Sequence, residues 1–285
     1  MVADEGSSPP HPKPVPSKEL STRVLSALVM VAAALLTAYL GGWAFSLFWL
    51  AAGIAIVVEW TDMTAIQPRR LVQVILGVGL AALTLLVLLG AEVWFYLAVS
   101  VAFLAVGTFA VSDARKRIWA ISSFLYAAPI ILVPPIVRAH PDLGILGLLW
   151  MFAVVWATDI AAYFTGRTLG GPKLCPPISP KKTWSGFIGG VVAATACGLL
   201  VAWIGRRYDA ALPLTFTGIA ALSIVASVAS QIGDLGESAL KRHCQVKDSS
   251  HLIPGHGGVM DRLDGFWAVC VIVALVLLTL VGPTV

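Results

Sequence analysis

Ser-Ala-Leu-Lys-Arg-His-Cys-Gln-Val-Lys-Asp-Ser-Ser-His-Leu-Ile-Pro-Gly-His-Gly-Gly-Val-Met-Asp-Arg-Leu-Asp, residues 238 to 264, is a charged, glycine-bearing stretch set between two long apolar runs. The runs decide the fold class. Across the chain 58% of residues are hydrophobic and 12% charged, and the mean hydropathy is strongly positive, whereas globular domains carry about 25% charged residues. Apolar runs of roughly 17 to 25 residues, long enough to span the hydrocarbon of a bilayer, fall near 24–42, 43–60, 71–90, 91–111, 118–137, 145–166, 187–205, 211–233 and 266–283. The expected fold is an all-α, polytopic integral membrane protein with about nine transmembrane helices.

Nine spans with a cytoplasmic N-terminus put 16 of the 19 Lys and Arg residues on the cytoplasmic side and leave only Arg138, Arg206 and Arg207 opposite. That is the asymmetry the positive-inside rule requires. Topology then accounts for most of the net charge of +4, and no nucleic-acid partner is needed. Residues 1–22 read as a disordered cytoplasmic tail, with prolines at 9, 10, 12, 14 and 16 among polar residues. Residues 23–144 read as N-terminal transmembrane helices and 145–285 as a C-terminal catalytic region. The first run is longer than a signal-peptide core and is read as a retained span. Tryptophans near run ends, Trp43, Trp60, Trp94, Trp119, Trp203 and Trp267, read mostly as interfacial anchors.

Charged residues at membrane depth are functional candidates, because burying them unpaired is costly. Asp159 falls inside the sixth run, while Asp234 and Glu237 close the eighth. If that helix continues past Gln231, then Asp234, Glu237, Ser238 and Lys241 stand at i, i+3, i+4 and i+7 on one face. About 20 residues later Pro254-Gly255-His256-Gly257-Gly258 offers backbone that can approach a ligand closely, and Asp261 and Asp264 follow with Arg262 between them. A return of the chain bringing the two carboxylate pairs together would make an oxygen-rich site suited to Mg²⁺ and phosphate oxygens. Lys241, Arg242, Lys247 and Arg262 would suit a polyphosphate. Phosphoryl or nucleotidyl transfer is the reaction class such a site serves. A further anion site is readable at Ser179-Pro180-Lys181-Lys182-Thr183-Trp184-Ser185, with Thr183 or Ser185 capping the next helix.

The stretch from Ser238 to Asp264 resembles the signature of the phosphatidate cytidylyltransferases, the CDP-diacylglycerol synthases, through Ser238, Lys241, Arg242, Lys247, Asp248, Pro254, His256, Gly257, Gly258, Asp261, Arg262 and Asp264. Gln231 to Glu237, Asp159 to Tyr163 and Ser179 to Trp184 extend the likeness over about the C-terminal half. Ser185 departs from it, where many relatives carry glutamate. The resemblance implies transfer of CMP from CTP to phosphatidic acid, giving CDP-diacylglycerol and pyrophosphate for phospholipid biosynthesis. It implies Mg²⁺ on Asp234, Glu237, Asp261 and Asp264, together with a second, monovalent cation. Lys241, Arg242, Asp261 and Arg262 would be catalytic. Lys181, Lys182, Ser238, Lys247, His256, Gly257 and Gly258 would bind substrate. It further implies a homodimer in the bacterial cytoplasmic membrane, with the active site facing the cytoplasm.

Two rivals are a secondary transporter, which has no need of a concentrated Lys/Arg/Asp loop, and a CTP-dependent transferase or kinase acting on another lipid. A CDP-alcohol phosphatidyltransferase is disfavoured because Asp264-Gly265 leads into Phe266-Trp267-Ala268-Val269 and not into that family's Ala-Arg element. The four cysteines, at 175, 197, 244 and 270, show no paired spacing of the kind zinc or redox sites use. They read as packing residues, and Cys244→Ser is expected to keep full turnover under reducing conditions. A dead Cys244→Ser enzyme would show that the thiol has chemistry of its own.

Overall fold

The computed structural model describes residues 17–280. Nine helices long and apolar enough to cross a membrane occur among the described residues: α1 (Ser17–Leu40), α2 (Gly42–Met63), α3 (Arg69–Leu89), α4 (Val93–Ala110), α5 (Arg117–Ala139), α6 (Gly144–Leu169), α7 (Trp184–Arg207), α8 (Phe216–His243) and α9 (Met260–Leu280). The tail assigned to residues 1–22 lies outside the described residues as far as residue 16, and α1 begins at Ser17.

The expected spans are matched helix by helix, with two informative differences in length. Hydropathy closes the eighth run at 233 and opens the ninth at 266, whereas α8 continues to His243 and α9 starts at Met260. Polar residues enter both helices there without breaking them. Their charged faces meet one another and a cavity, so the backbone keeps its helical bonds while the lipid-type apolar pattern stops.

A second departure is a small antiparallel hairpin between α6 and α7, with strands β1 (Lys173–Cys175) and β2 (Ser179–Thr183), pairing Lys173 with Thr183 and Cys175 with Ser179. Thr183 closes it and caps α7, its hydroxyl oxygen accepting from the Gly186 amide at 3.2 Å. The Ser185 hydroxyl instead donates to the Gly170 carbonyl and ties the hairpin to the end of α6.

Gly186, Gly190, Ala194, Gly198 and Ala202 recur every fourth residue along α7, and all are buried. A Cβ on Gly186 would stand 2.7 Å from the Ala162 carbonyl oxygen, and one on Gly190 would stand 3.0 Å from that of Thr158. Small residues let the α6 and α7 backbones touch, as they do where lipid supplies no hydrophobic drive between helices. Hydrogen bonds join α8 to α6: Trp150 Nε1 donates to Ser223 Oγ at 3.0 Å, and the Thr158 and Ser227 hydroxyls lie 2.8 Å apart.

The N-terminal helices join this unit through aromatic packing. Trp49 of α2 stacks on Phe266 of α9, centroids 5.0 Å apart and planes 11° from parallel. Tyr126 of α5 stacks on Trp267 at 4.7 Å and also meets Trp60. Two tryptophans read as interfacial anchors, Trp60 and Trp267, are therefore core contacts. Trp43, Trp94 and Trp203 are exposed, as the anchor reading requires. A run-end tryptophan fits either role, and the decision rests on a stacking partner from another helix.

The loops at one end of the bundle converge. The Lys116 ammonium donates to the Ala65 carbonyl at 2.7 Å, and Trp119 meets His243 with ring centroids 5.5 Å apart. At the same end Lys182 Nζ, from the hairpin, lies 2.5 Å from Asp234 Oδ2 of α8.

Gly198 tests the close-packed seam, because a Cβ there would stand 2.8 Å from Trp150 Nε1 and would overlap Ser223. Gly198→Val is expected to cost about 1–3 kcal/mol by overpacking and to lower the thermal midpoint in detergent. Gly77→Ala, whose Cβ would meet nothing closer than 4.0 Å, is expected to leave the midpoint unchanged. Equal midpoints for both variants would refute the seam.

Candidate active site

Helices α8 and α9 touch where two glycines permit it. A Cβ on Gly233 would lie 2.6 Å from the Asp264 carbonyl oxygen, and one on Gly265 would overlap the Ser230 hydroxyl. Each glycine is the sequence neighbour of a carboxylate, so the contact brings the acids together. Asp234 and Glu237 of α8 and Asp264 of α9 each offer a carboxylate oxygen, all within 4.8 Å of one another. Glu237 is buried, and its Oε1 has no hydrogen-bond partner. Three converging carboxylates, one with an unpartnered buried oxygen, form a donor set suited to a hard divalent cation.

Lysines flank the cluster. Lys182 Nζ pairs with Asp234 Oδ2 at 2.5 Å, while Lys241 Nζ bridges Glu237 Oε2 at 2.8 Å and Asp261 Oδ1 at 2.6 Å. The Ser238 hydroxyl points to Asp234 Oδ1 at 3.4 Å. Asp261 is not one of the three convergent carboxylates, but it borders Glu237 and shares Lys241 with it. Its Oδ2 accepts from the amides of Ser249 (2.9 Å) and Gly258 (2.8 Å), and the Ser249 hydroxyl lies 3.0 Å from it, sharing its one proton between Asp261 and Glu59.

These donors belong to the loop 244–259, which folds back over the helix ends. Gly257 has φ +85°, and a Cβ there would lie 2.6 Å from Asp261 Oδ2, so both conformation and space require glycine. Arg262 donates from Nε and Nη2 to the His256 carbonyl at 3.1 and 2.7 Å, which leaves part of its donor fork free. The Nδ1 of His256 lies 2.7 Å from Ser26 Oγ of α1, and the same hydroxyl contacts the Pro254 carbonyl at 3.2 Å. Desolvation, and then the Arg262 guanidinium, hold the His256 imidazole below its ordinary pKa. Cys244 is pushed up by burial, consistent with an unreactive thiol.

A cavity of about 970 Å³ opens over the cluster, and its lining interleaves the acidic Asp159, Asp234, Asp248, Asp261 and Asp264 with the basic Arg167, Lys173, Lys181, Lys182, Lys241 and Arg262. Ala162, Tyr163 and Phe187 extend the lining along α6 and α7. Of the residues expected at the site, Asp234, Asp261, Asp264, Lys181, Lys182, Lys241 and Arg262 line this cavity, and Glu237, Ser238, Gly257 and Gly258 support it. Arg242 and Lys247 are exposed and are not in its lining, and His256 is engaged with α1. Asp248, Arg167 and Lys173 were not among the expected site residues, nor was Glu59 of α2. Glu59 is buried, and its carboxylate accepts from the loop at Ser250 Oγ (2.7 Å) and Met260 N (2.8 Å). A lone glutamate at the end of an apolar run was its only signal in the sequence.

Residues 21–280 match the cytidylyltransferase family. The chain is 40% identical over 256 residues to the phosphatidate cytidylyltransferase of Brucella suis, covering 90% of this chain and 92% of that protein. It is 34% identical to the protein of the same name from Haemophilus influenzae, over 87% of this chain and 95% of the relative. The Bacillus subtilis phosphatidate cytidylyltransferase is 42% identical over 130 residues, 46% of each chain. The signature stretch, the carboxylate cluster it folds beside and the full-length matches agree: the chain belongs to the cytidylyltransferase family.

Proposed function

We propose that this membrane enzyme transfers CMP from CTP to the phosphate of phosphatidic acid, forming CDP-diacylglycerol and releasing pyrophosphate. The observation that carries the reading is a cavity at one end of a helical bundle whose lining combines a cluster of carboxylates with lysines and arginines. Phosphatidate is already an anionic nucleophile near neutral pH, so the site has little need of a strong base. Its task is to hold two anions in line and to neutralise the charge that gathers on the leaving group.

Asp234, Glu237 and Asp264 would hold Mg²⁺, with Asp261 beside them, and the ion would supply Lewis-acid neutralisation of the triphosphate and of the departing pyrophosphate. Lys241 now serves as counter-charge to Glu237 and Asp261. With a bound cation countering those acids, Lys241 would be available to a CTP phosphate, and Arg262 would join it with its remaining donors. The second, monovalent cation implied by the family resemblance belongs to the same reading. Lys181, Lys182 and Lys173, carried on the hairpin, would hold the lipid phosphate. Ser238 orients Asp234, and Gly257 and Gly258 bring loop backbone against Asp261. In this reading Arg242, Lys247 and His256 act at the rim, on the outer part of the nucleotide.

The end of the bundle that holds the cavity is placed in the cytoplasm, with the N-terminus on the same side, because that orientation leaves 16 of 19 basic residues inside. The bacterial cytoplasmic membrane is the compartment. CTP and bilayer phosphatidate are the partners, no nucleic acid is involved, and the homodimer implied by the family resemblance belongs to the same reading.

Purified protein in detergent, given CTP and phosphatidate, should form CDP-diacylglycerol only with Mg²⁺ present. Asp264→Asn and Asp261→Asn should each lower turnover on the order of a hundredfold or more, with the folded yield retained. Metal-independent turnover, or full activity in Asp264→Asn, would refute the metal assignment. No product from well-folded wild-type protein under varied lipid and cation conditions would refute the transferase reading.

Gly257→Ala should slow turnover about tenfold, since a left-handed conformation costs a non-glycine residue roughly 1–2 kcal/mol and the added methyl displaces Asp261. Wild-type turnover in that variant would show that the loop does not set the Asp261 position.

A further inference from the structure

Glu59 lies in α2, far in sequence from the signature stretch, and is 3% exposed. Its two carboxylate oxygens collect four donors from one short stretch of the catalytic loop. Oε1 accepts from the Ser250 hydroxyl at 2.7 Å and the Val259 amide at 2.8 Å, while Oε2 accepts from the Met260 amide at 2.8 Å and the Ser249 hydroxyl at 3.1 Å. The Met260 amide is the first of α9 and the Val259 amide immediately precedes it, where no intrahelical acceptor is available. A carboxylate there satisfies them and complements the positive end of the helix. The cap of α9 is thus supplied by another helix.

The arrangement reaches the reaction through Asp261. Ser249, held by Glu59, gives its amide to Asp261 Oδ2, and its hydroxyl lies 3.0 Å from the same oxygen. Gly258, which also donates to Asp261, is hemmed in by Glu59: a Cβ there would stand 2.6 Å from both glutamate oxygens. Asp261 in turn holds Lys241 at 2.6 Å. A single carboxylate from the N-terminal helices therefore sets the backbone that sets the charged side chains of the cavity.

We propose that Glu59 is a positioning residue for cytidylyl transfer: it fixes loop 249–258 and the first turn of α9, and so fixes Asp261 and Lys241 relative to the reacting phosphates. The inference rests on the transferase reading above. Gln is isosteric, but its amide nitrogen cannot accept, so Glu59→Gln sets a donor against the loop donors on one side of the group. Small displacements of catalytic groups are costly: a shift of about 1 Å can lower a rate on the order of a hundredfold.

The test compares full-length wild type, Glu59→Gln and Ser250→Ala in detergent. Steady-state kinetics are expressed per folded molecule, and amide hydrogen exchange is followed across the chain. Glu59→Gln is expected to keep its size-exclusion profile, to lose about tenfold or more in kcat with KM for phosphatidate within about twofold of wild type, and to exchange faster only in peptides covering 249–261. Ser250→Ala, which removes one donor to Glu59 without touching Asp261, should show the same pattern at about two- to fivefold in kcat. Wild-type kcat in folded Glu59→Gln would overturn the proposal, as would activity that falls only in step with the folded fraction. If Glu59→Gln does not fold, Ser250→Ala decides: a lowered kcat with local exchange upholds the proposal and wild-type values overturn it. A wild-type chain that makes no CDP-diacylglycerol would count against the transferase reading alone, since the exchange data report on the Glu59 anchor independently.

Discussion

The close approach of α8 and α9 at Gly233 and Gly265 forces an electrostatic problem that the surrounding structure solves. It places three carboxylates with oxygens within 4.8 Å of one another. At an effective dielectric of about 20, each such pair of charges repels by roughly 3 kcal/mol or more. Lys182 and Lys241 answer this repulsion, each from a different direction: one from the hairpin after α6, the other from the last turns of α8. Without the hairpin, Asp234 would lose its ion-pair partner. The α6–α7 contact, made possible by the small-residue stripe of α7, carries the hairpin to that position.

Lysines as resident counter-charges suit a site that must accept polyanions. A lysine is a mobile point charge on a flexible stem, and it can exchange a carboxylate partner for a phosphate at modest cost. Arg262 is used differently. Its planar fork is already bound to the His256 carbonyl, so it fixes the loop while keeping donors in reserve. A cavity of about 970 Å³ lined by five acidic and six basic side chains has little net charge, which limits the penalty of holding it open at the membrane boundary.

Much of this was legible in the sequence because two strong physical signals carry it. Hydrophobic length marks the helices, and charged residues that interrupt it mark the site. The face shared by Asp234, Glu237, Ser238 and Lys241 could be read from spacing because α8 stays helical past the end of its apolar run. The rest depends on contacts between distant segments. The hairpin at 173–183 has strands of three and five residues, too short for a two-residue period to stand out. Trp60 and Trp267 resemble belt residues until Tyr126 is known to meet both rings. Asp261 and Asp264 look equivalent in sequence, yet their surroundings differ: Asp264 converges with Asp234 and Glu237, while Asp261, beside Glu237, is held by loop amides and Lys241.

Glu59 shows why the N-terminal helices are more than a membrane anchor for the C-terminal half. The signature stretch contains the acids, bases and glycines of the site, but a loop with glycines at 255, 257 and 258 has high conformational entropy and does not by itself hold one geometry. Rigidity has to come from elsewhere. Helix α2 supplies it twice, by stacking Trp49 on Phe266 within α9 and by binding the start of α9 through Glu59. These contacts, at Met260 and Phe266, lie six residues apart on α9 and ten residues apart on α2, so they restrain both the position and the rotation of α9 about its axis. Rotation of α9 is the degree of freedom that would carry Asp264 out of the cluster. The carboxylate geometry is therefore a property of the whole bundle, although nearly all of the residues that display it lie in the last 55 positions of the chain.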